Sequence, residues 1–449
     1  MTKRSTIVFK RKIYDKLLEW KNESNGDTAL LIEGARRVGK STVAEEFGKN
    51  EYKSYIRIDF SIASKAVKDL FLDLSDLNYF FLQLQLIYRV DLFERKSLII
   101  FDEVELYPLA RQAIKHLVLD HRYDYIETGS LISIKKNVKD ILIPSEERKI
   151  SMYPMDYEEF LWAIGDTTTF PIIKKCFDDR KPLGNEINRK LLREFRLYML
   201  VGGMPRVVDE YITTNNFKKV DQIKRDIISL YEDDFQKLDP TGRARLLFDA
   251  IPAQLNKNAS RYQVSGVLKN GKAETTTELI SKMKESMTVL VSYHANDPNV
   301  GLSSTVDIEK FKLFVCDTGL FVTLMFKDKD FTENTIYEKL LNDKLSANLG
   351  YLYENVVAQI LAAKGDNLFY YTFPSESGRH NFEIDFLLAR KNKICPLEVK
   401  SSNYKTHNSI DKFFEKYSSR IANKYLIYTN DFAKDADTIC VPVYMTPFI

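Results

Sequence analysis

Gly34-Ala35-Arg36-Arg37-Val38-Gly39-Lys40-Ser41 has the residue types and spacing of a nucleotide-phosphate cradle. Its glycines let successive backbone N–H groups turn inward around a phosphate. Lys40 is placed to reach the β- and γ-phosphates of ATP, and Ser41, with Thr42 behind it, to offer a hydroxyl to Mg²⁺. Four fixed positions of this kind arise by chance in roughly 1–2% of chains this long, so the motif is specific. The run Ala29-Leu30-Leu31-Ile32 before it predicts a buried strand, and Thr42-Val43-Ala44-Glu45-Glu46-Phe47 after it an amphipathic helix whose N-terminus receives the anion.

A phosphate cradle needs a carboxylate from a neighbouring strand. Ser97-Leu98-Ile99-Ile100-Phe101-Asp102-Glu103 supplies two where an apolar strand ends. Asp102 would hold the Mg²⁺ shell, and Glu103 would orient and polarise the water that attacks the γ-phosphate. A third strand, Tyr125-Ile126-Glu127-Thr128-Gly129-Ser130, ends in small polar residues. Thr128 or Ser130 either senses the γ-phosphate or simply caps the strand. Arg148, in Glu146-Glu147-Arg148-Lys149, is either an arginine finger for a neighbouring subunit's nucleotide or part of a solvated charge run.

A second group of acids lies near the C-terminal end. Asn381-Phe382-Glu383-Ile384-Asp385-Phe386-Leu387-Leu388 and Ile394-Cys395-Pro396-Leu397-Glu398-Val399-Lys400 read as strands joined by a short turn. If Lys391-Asn392 is a two-residue loop, Asp385 faces Glu398 and Glu383 faces Lys400. Carboxylates about 5 Å apart repel unless a cation lies between them, and a divalent metal is the expected one. A register shift of one residue would send the acids to opposite faces. Glu354 lies in line with Val357, Ala358 and Leu361 on a preceding helix, a costly place for an unpartnered acid. It is expected to point at the same site.

Taken together, Leu31 to Thr42, Ile58-Asp59-Phe60, Phe101-Asp102-Glu103, Thr128-Gly129-Ser130 and Tyr153 to Phe160 resemble the prokaryotic AAA-type ATPases that carry a C-terminal restriction-endonuclease-like domain. Val201-Gly202-Gly203-Met204-Pro205 and Phe314 to Leu320 extend the likeness over nearly the whole chain. Members often have Gly-Arg where this chain has Glu147-Arg148. Glu354, Asp385, Glu398 and Lys400 are similar to a PD-(D/E)XK nuclease core, which implies acids holding Mg²⁺ and a lysine orienting the nucleophile. The competing reading is a nuclease fold that keeps its acids as an ion-pair patch and binds DNA or a protein without cutting.

These sites need positioning elements. The resemblance implies an α/β P-loop core over 1–154, a helical lid over 155–239, a winged-helix-like module over 240–330 and a nuclease-like domain over 331–449. Apolar residues at three- and four-residue spacing in Glu194 to Leu200 predict helix, broken at Gly202-Gly203 by a hinge or a stop. Leu246 to Ile251 and Thr275 to Met283 predict two more helices, and Phe311 to Val315 a strand. In that module Lys269, Lys272 and Lys282 either face DNA phosphates or are merely solvated.

The 449 residues are 44% hydrophobic and 29% charged, as in a globular protein. No apolar run approaches the ~18 residues a membrane span needs, and no apolar segment follows the basic N-terminus. The four cysteines are far apart, as expected for reduced thiols in the cytoplasm. A net charge of +3 is too small to argue for nucleic acid, so any DNA-binding surface must be local.

Overall fold

The computed structural model describes residues 7–129, 145–257, 259–268, 273–328, 334–342, 350–375, 377–378, 380–401 and 407–449. It divides into two compact units, one of Met1–Tyr153 with Glu285–Met287, the other of Pro154–Lys284 with Thr288–Ile449.

In the first unit, β1 (Ala29–Gly34), β2 (Ser54–Asp59), β3 (Ser97–Asp102), β4 (Asp124–Gly129) and β5 (Glu147–Met152) form a parallel sheet of order β2-β3-β4-β1-β5. Its helices are α1 (Ile13–Ser24), α2 (Lys40–Glu51), α3 (Lys65–Asp69), α4 (Leu77–Tyr88) and α5 (Pro108–Asp120). Helices covering a parallel sheet on both faces explain why β3 is apolar without alternation and buried at every residue. Phe60, Phe71 and Phe101 pack edge to face beneath it. The chain leaves β1 through α2 to β2 at the far edge, while β4 and β5 flank β1. This change of direction opens a crevice at the carboxyl ends of the strands, where the cradle, Asp102 and Thr128 all emerge.

The second unit begins with five helices, α6 (Tyr157–Ala163), α7 (Thr169–Asp178), α8 (Asn185–Val201), α9 (Pro205–Thr214) and α10 (Phe217–Leu238). Asp156 and Glu159 form a reciprocal capping box that starts α6. In α8, Leu191, Leu192, Phe195, Tyr198 and Met199 are buried along one stripe, as their spacing predicts. Gly202-Gly203 is a helix stop. Gly202 has φ +85° and its N–H bonds Tyr198 O at 2.7 Å. Gly203 is wedged: a Cβ there would lie 2.1 Å from Met155 O. Asp317 accepts the Gly203 N–H at 2.5 Å and caps the helix that follows it through Leu320 N at 2.9 Å. The two glycine-bearing motifs of the sequence are thus one interlocked contact.

Next come α11 (Arg243–Asp249), α12 (Ile251–Asn256), α13 (Ala273–Glu285), β6 (Val289–Ala295), β7 (Val306–Val315), α14 (Thr318–Met325), α15 (Asn334–Leu341) and α16 (Gly350–Ala363). The helix expected from Thr275 starts earlier, at Ala273. β6 and β7 pair antiparallel, and β6 also pairs with β8 (Phe369–Pro374), which adds β9 (Asn381–Ile384). The sheet β7-β6-β8-β9 therefore takes strands from both sides of residue 330. The strand expected over Phe311 to Val315 is the second half of β7 in this sheet.

A five-stranded sheet of order β10-β11-β12-β14-β13 completes the unit, from β10 (Phe386–Arg390), β11 (Lys393–Val399), β12 (Lys424–Tyr428), β13 (Ala433–Asp435) and β14 (Thr438–Pro442). Helix α17 (Asn408–Tyr417) buries Ile410 and Phe413 against Tyr371 and Ile394. Asp385 is the residue at which the chain leaves one sheet for the other, between β9 and β10. No helix among the described residues is long and apolar enough to cross a membrane.

Candidate functional site: the phosphate cradle and the C-terminal carboxylates

The cradle follows β1 with each glycine under a different constraint. A Cβ on Gly34 would sit 2.4 Å from Met152 O of neighbouring β5, and Gly39 has φ +101°. Between them Ala35 and Val38 are buried and Arg37 is left-handed, with φ +72°. Thr42 is exposed on the first turn of α2. The buried Arg11 braces the loop from behind, donating to Val38 O at 2.8 Å and Tyr153 O at 2.7 Å. Lys40, 8% exposed, donates to Gly34 O and Ala35 O at 3.0 Å each. Burial pulls its pKa down, while the charges of Glu103, Glu105 and Asp102 oppose that. Arg36 adds positive charge to the same loop.

Asp102 is 1% exposed and bonded at both oxygens. Ser41 Oγ donates to its Oδ1 at 2.6 Å, and Thr128 donates to the same oxygen. The Thr128 hydroxyl also accepts the Glu103 N–H at 3.3 Å, so it links both acids to β4. Glu103 is left-handed, φ +53°, a conformation that non-glycine residues hold at some cost and that recurs at functional sites. The paired oxygens of Ser41 and Asp102 are hard donors of the kind Mg²⁺ takes. ATP and Mg²⁺ therefore fit the residues present. Ser130 lies outside the described residues.

Arg57 on β2 is a member of this site that sequence spacing does not reveal. Its Nε donates to Asp102 Oδ2 at 3.0 Å and its Nη2 reaches the same oxygen, while Nη1 holds Glu45 at 3.2 Å. It fixes the carboxylate so that Oδ1 stays with Ser41. Arg57→Ala is expected to lower ATP turnover about tenfold and raise the Mg²⁺ concentration for half-maximal rate, since a charge-assisted hydrogen bond is worth ~1.5–3 kcal/mol. Arg57→Lys should restore part of both. An unchanged Mg²⁺ titration would remove Arg57 from the site.

Beside Thr128, Glu127 is fully buried next to the carboxyl group of Glu147, with the Arg111 guanidinium 4.0 Å away. Arg111 is committed to Glu147 instead, at 2.9 and 3.1 Å. Burial, then the charge of Glu147, push the Glu127 pKa well above the ordinary carboxyl value. A raised folded-state pKa in an acid costs nothing below the unfolded value, and the cost grows as pH rises through the interval to the folded value. Glu127→Gln should therefore raise Tm at neutral pH and not at pH 4. A Tm gain that is equal at both pH values would refute the assignment.

Arg148, on β5, pairs with Glu23 of α1 at 3.0 Å, both side chains about half exposed (49% and 56%). Such a surface pair is worth less than ~1 kcal/mol and is easily exchanged.

In the second unit the structure gathers Glu354, Asp385, Glu398 and Lys400, together with Glu383 and Lys312. The β10–β11 ladder, Phe386↔Leu397 to Arg390↔Lys393, has the register of the two-residue turn; Asp385 lies just before its first pair, and Glu383 pairs with Thr372 of β8 rather than facing Lys400. The bonds differ from a metal-bridged pair. Asp385 Oδ2 accepts the Val399 N–H at 2.7 Å. Glu398 Oε1 holds Lys400 Nζ at 2.9 Å and Oε2 accepts the Ile410 N–H at 3.3 Å. Lys312 from β7, 6% exposed, forms an ion pair with Glu383 and lies 3.6 Å from Glu354. Burial would lower the Lys312 pKa, but Glu383, Glu354 and Asp385 outweigh it and raise it. Burial and the charge of Glu354 push Asp385 up, with Lys312 opposing. Among the described residues, no group of three or more His, Cys, Asp or Glu side chains is arranged to hold a metal ion.

Lys312 had a sequence signal: a lysine inside Phe311-Lys312-Leu313-Phe314-Val315 is costly unless it meets an acid. Of the lysines that would either face DNA phosphates or be solvated, Lys282 pairs with Glu278 at 2.6 Å, and Lys269 and Lys272 lie outside the described residues.

Residues 26–161 match the family model described as an AAA domain, and they form an AAA-type P-loop ATPase domain. Residues 192–330 and 349–446 match two domains of unknown function, DUF8612 and DUF4143. An uncharacterized Haemophilus influenzae protein is 22% identical over 419 residues, 89% of this chain and 94% of that one. A Walker-type ATPase of Pyrococcus abyssi overlaps 71% of this chain and 96% of its own, with 14% identity and a TM-score of 0.43. A STAND protein with a tetratricopeptide repeat sensor from Pyrococcus horikoshii overlaps 80% and 68%, with 9% identity and a TM-score of 0.23.

Proposed function

We propose that this chain is a Mg²⁺-dependent ATPase whose nucleotide cycle gates a C-terminal, nuclease-like domain that binds DNA or a partner protein without cutting it. The observation that carries the ATPase half is Lys40 buried in its loop with the Ser41–Asp102 bond beside it. Gly34 to Thr42 would wrap the triphosphate, Ser41 and Asp102 would hold Mg²⁺, and Thr128 would report the state of the γ-phosphate to Asp102 and Glu103. Bound Mg²⁺ supplies charge neutralisation on the phosphates. Glu103 orients and polarises the attacking water, and Lys40 stabilises developing negative charge. The helices after Pro154 serve as the lid and α11–α13 with β6 and β7 as the winged-helix-like module, in a cytoplasmic protein. The observation favouring a non-cleaving domain is Lys312, an ammonium already placed among the acids. A gel shift that responds to ATP, without loss of intact DNA, is the expected result. If neither DNA nor any protein is bound in a nucleotide-dependent way, the switch reading fails.

A second reading, a metal-dependent nuclease acting on DNA, is favoured by Asp385 bonded to Val399 N, the residue after Glu398, with Lys400 bonded to Glu398. Incubating plasmid with Mg²⁺ or Mn²⁺ and comparing wild type with Asp385→Ala decides between them: cutting lost in the variant establishes the nuclease. Arg148 as a finger in a homo-oligomer predicts an ATP-dependent increase in particle mass and slower turnover in Arg148→Ala.

A further inference from the structure

The acids of the second unit have the types of a metal site, but their geometry disagrees with one. A divalent cation needs carboxylate oxygens that converge and are free to give up hydrogen bonds. Here Glu383 and Glu354 are turned to the Lys312 ammonium, Glu398 to Lys400 and Ile410 N, and Asp385 to Val399 N. Lys312 cannot leave cheaply. It projects from an apolar stretch of β7 between the buried Phe311 and Leu313, with its ammonium 5.6 Å from the centre of the Tyr370 ring. An unpaired charge left at such a depth costs several kcal/mol.

We infer that Lys312 is the resident cation of this carboxylate cluster, doing the neutralising work of a divalent ion and excluding one. The inference deepens the non-cleaving reading and rests on it for its consequence, but metal uptake is read separately from DNA cutting. The two can therefore fail independently.

The test is a Mn²⁺ titration of nucleotide-free full-length protein, counted by electron paramagnetic resonance, with Tb³⁺ emission sensitised by tyrosine as a second readout. Wild type and Asp385→Asn should take up equal numbers of ions, because the cluster holds none. Lys312→Met should bind one ion more than wild type, and Lys312→Met with Asp385→Asn should lose that ion. Lys312→Arg, which keeps the charge, should gain nothing. Wild type binding one more ion than Asp385→Asn would overturn the inference, as would a folded Lys312→Met that gains no site. If Lys312→Met does not fold, the comparison of wild type with Asp385→Asn decides alone: equal counts support the inference and unequal counts refute it.

Discussion

Lys40→Ala is expected to cut ATP turnover by about 100- to 1,000-fold, the range seen when one preorganised charge-stabilising donor is removed from an active site. The side chain is buried and its ammonium is anchored by two carbonyls of its own loop; burial lowers its pKa, and the carboxylates of Glu103, Glu105 and Asp102 oppose that. That anchoring means the cation is oriented before nucleotide arrives, so little reorganisation is needed during reaction. Phosphate release under saturating ATP and Mg²⁺ measures the effect, and a fluorescent nucleotide reports whether binding is lost with it. Circular dichroism should show the fold intact, since the Arg11 brace and the Gly34 contact with β5 do not involve Lys40. Turnover that survives in the variant would remove the phosphate cradle from the chemistry.

Gly203→Ala should destabilise the second unit by about 3 kcal/mol or more, through overpacking against a backbone that cannot give way. The added methyl would meet Met155 O at 2.1 Å and Met155 N at 2.7 Å, while Met155 N is bonded to Gly203 O at 2.7 Å. Relief therefore requires breaking that bond or the one from Gly203 N to Asp317. Gly165→Ala is the control. Gly165 has φ +89° and an added methyl there would meet nothing within 4 Å, so only the conformational cost of roughly 1 kcal/mol applies. Urea denaturation followed by tryptophan and far-ultraviolet signals should separate the two. Equal losses in both variants would show that the contact with Met155 is soft.

Much of the phosphate site was legible because its determinants are local. Gly34, Gly39, Lys40 and Ser41 belong to one loop, and apolar residues before and after declare the strand and helix that aim it. Asp102 and Glu103 could be found because a fully buried parallel strand reads as an unbroken apolar run, here Leu98 to Phe101. The register of the C-terminal hairpin was readable for a related reason: a two-residue loop leaves one alignment, and alternation then sets which residues share a face. Glu354 was placed with those acids because an acid on an apolar helix stripe needs a partner.

The amino-acid order by itself determined the cradle, its acids and the register of the C-terminal hairpin, since each follows from spacing within one element or one turn. Tertiary structure alone decided which cations meet those acids. Arg57 reaches Asp102 across 45 residues and Lys312 reaches Glu383 across 71, with no periodicity joining either pair. The same holds for the sheet shared by β6 and β8 and for the Gly203 contact with Met155. The physical reason is that a buried charge or a close backbone approach is settled by whichever distant segment packs there, and chain order does not record that choice.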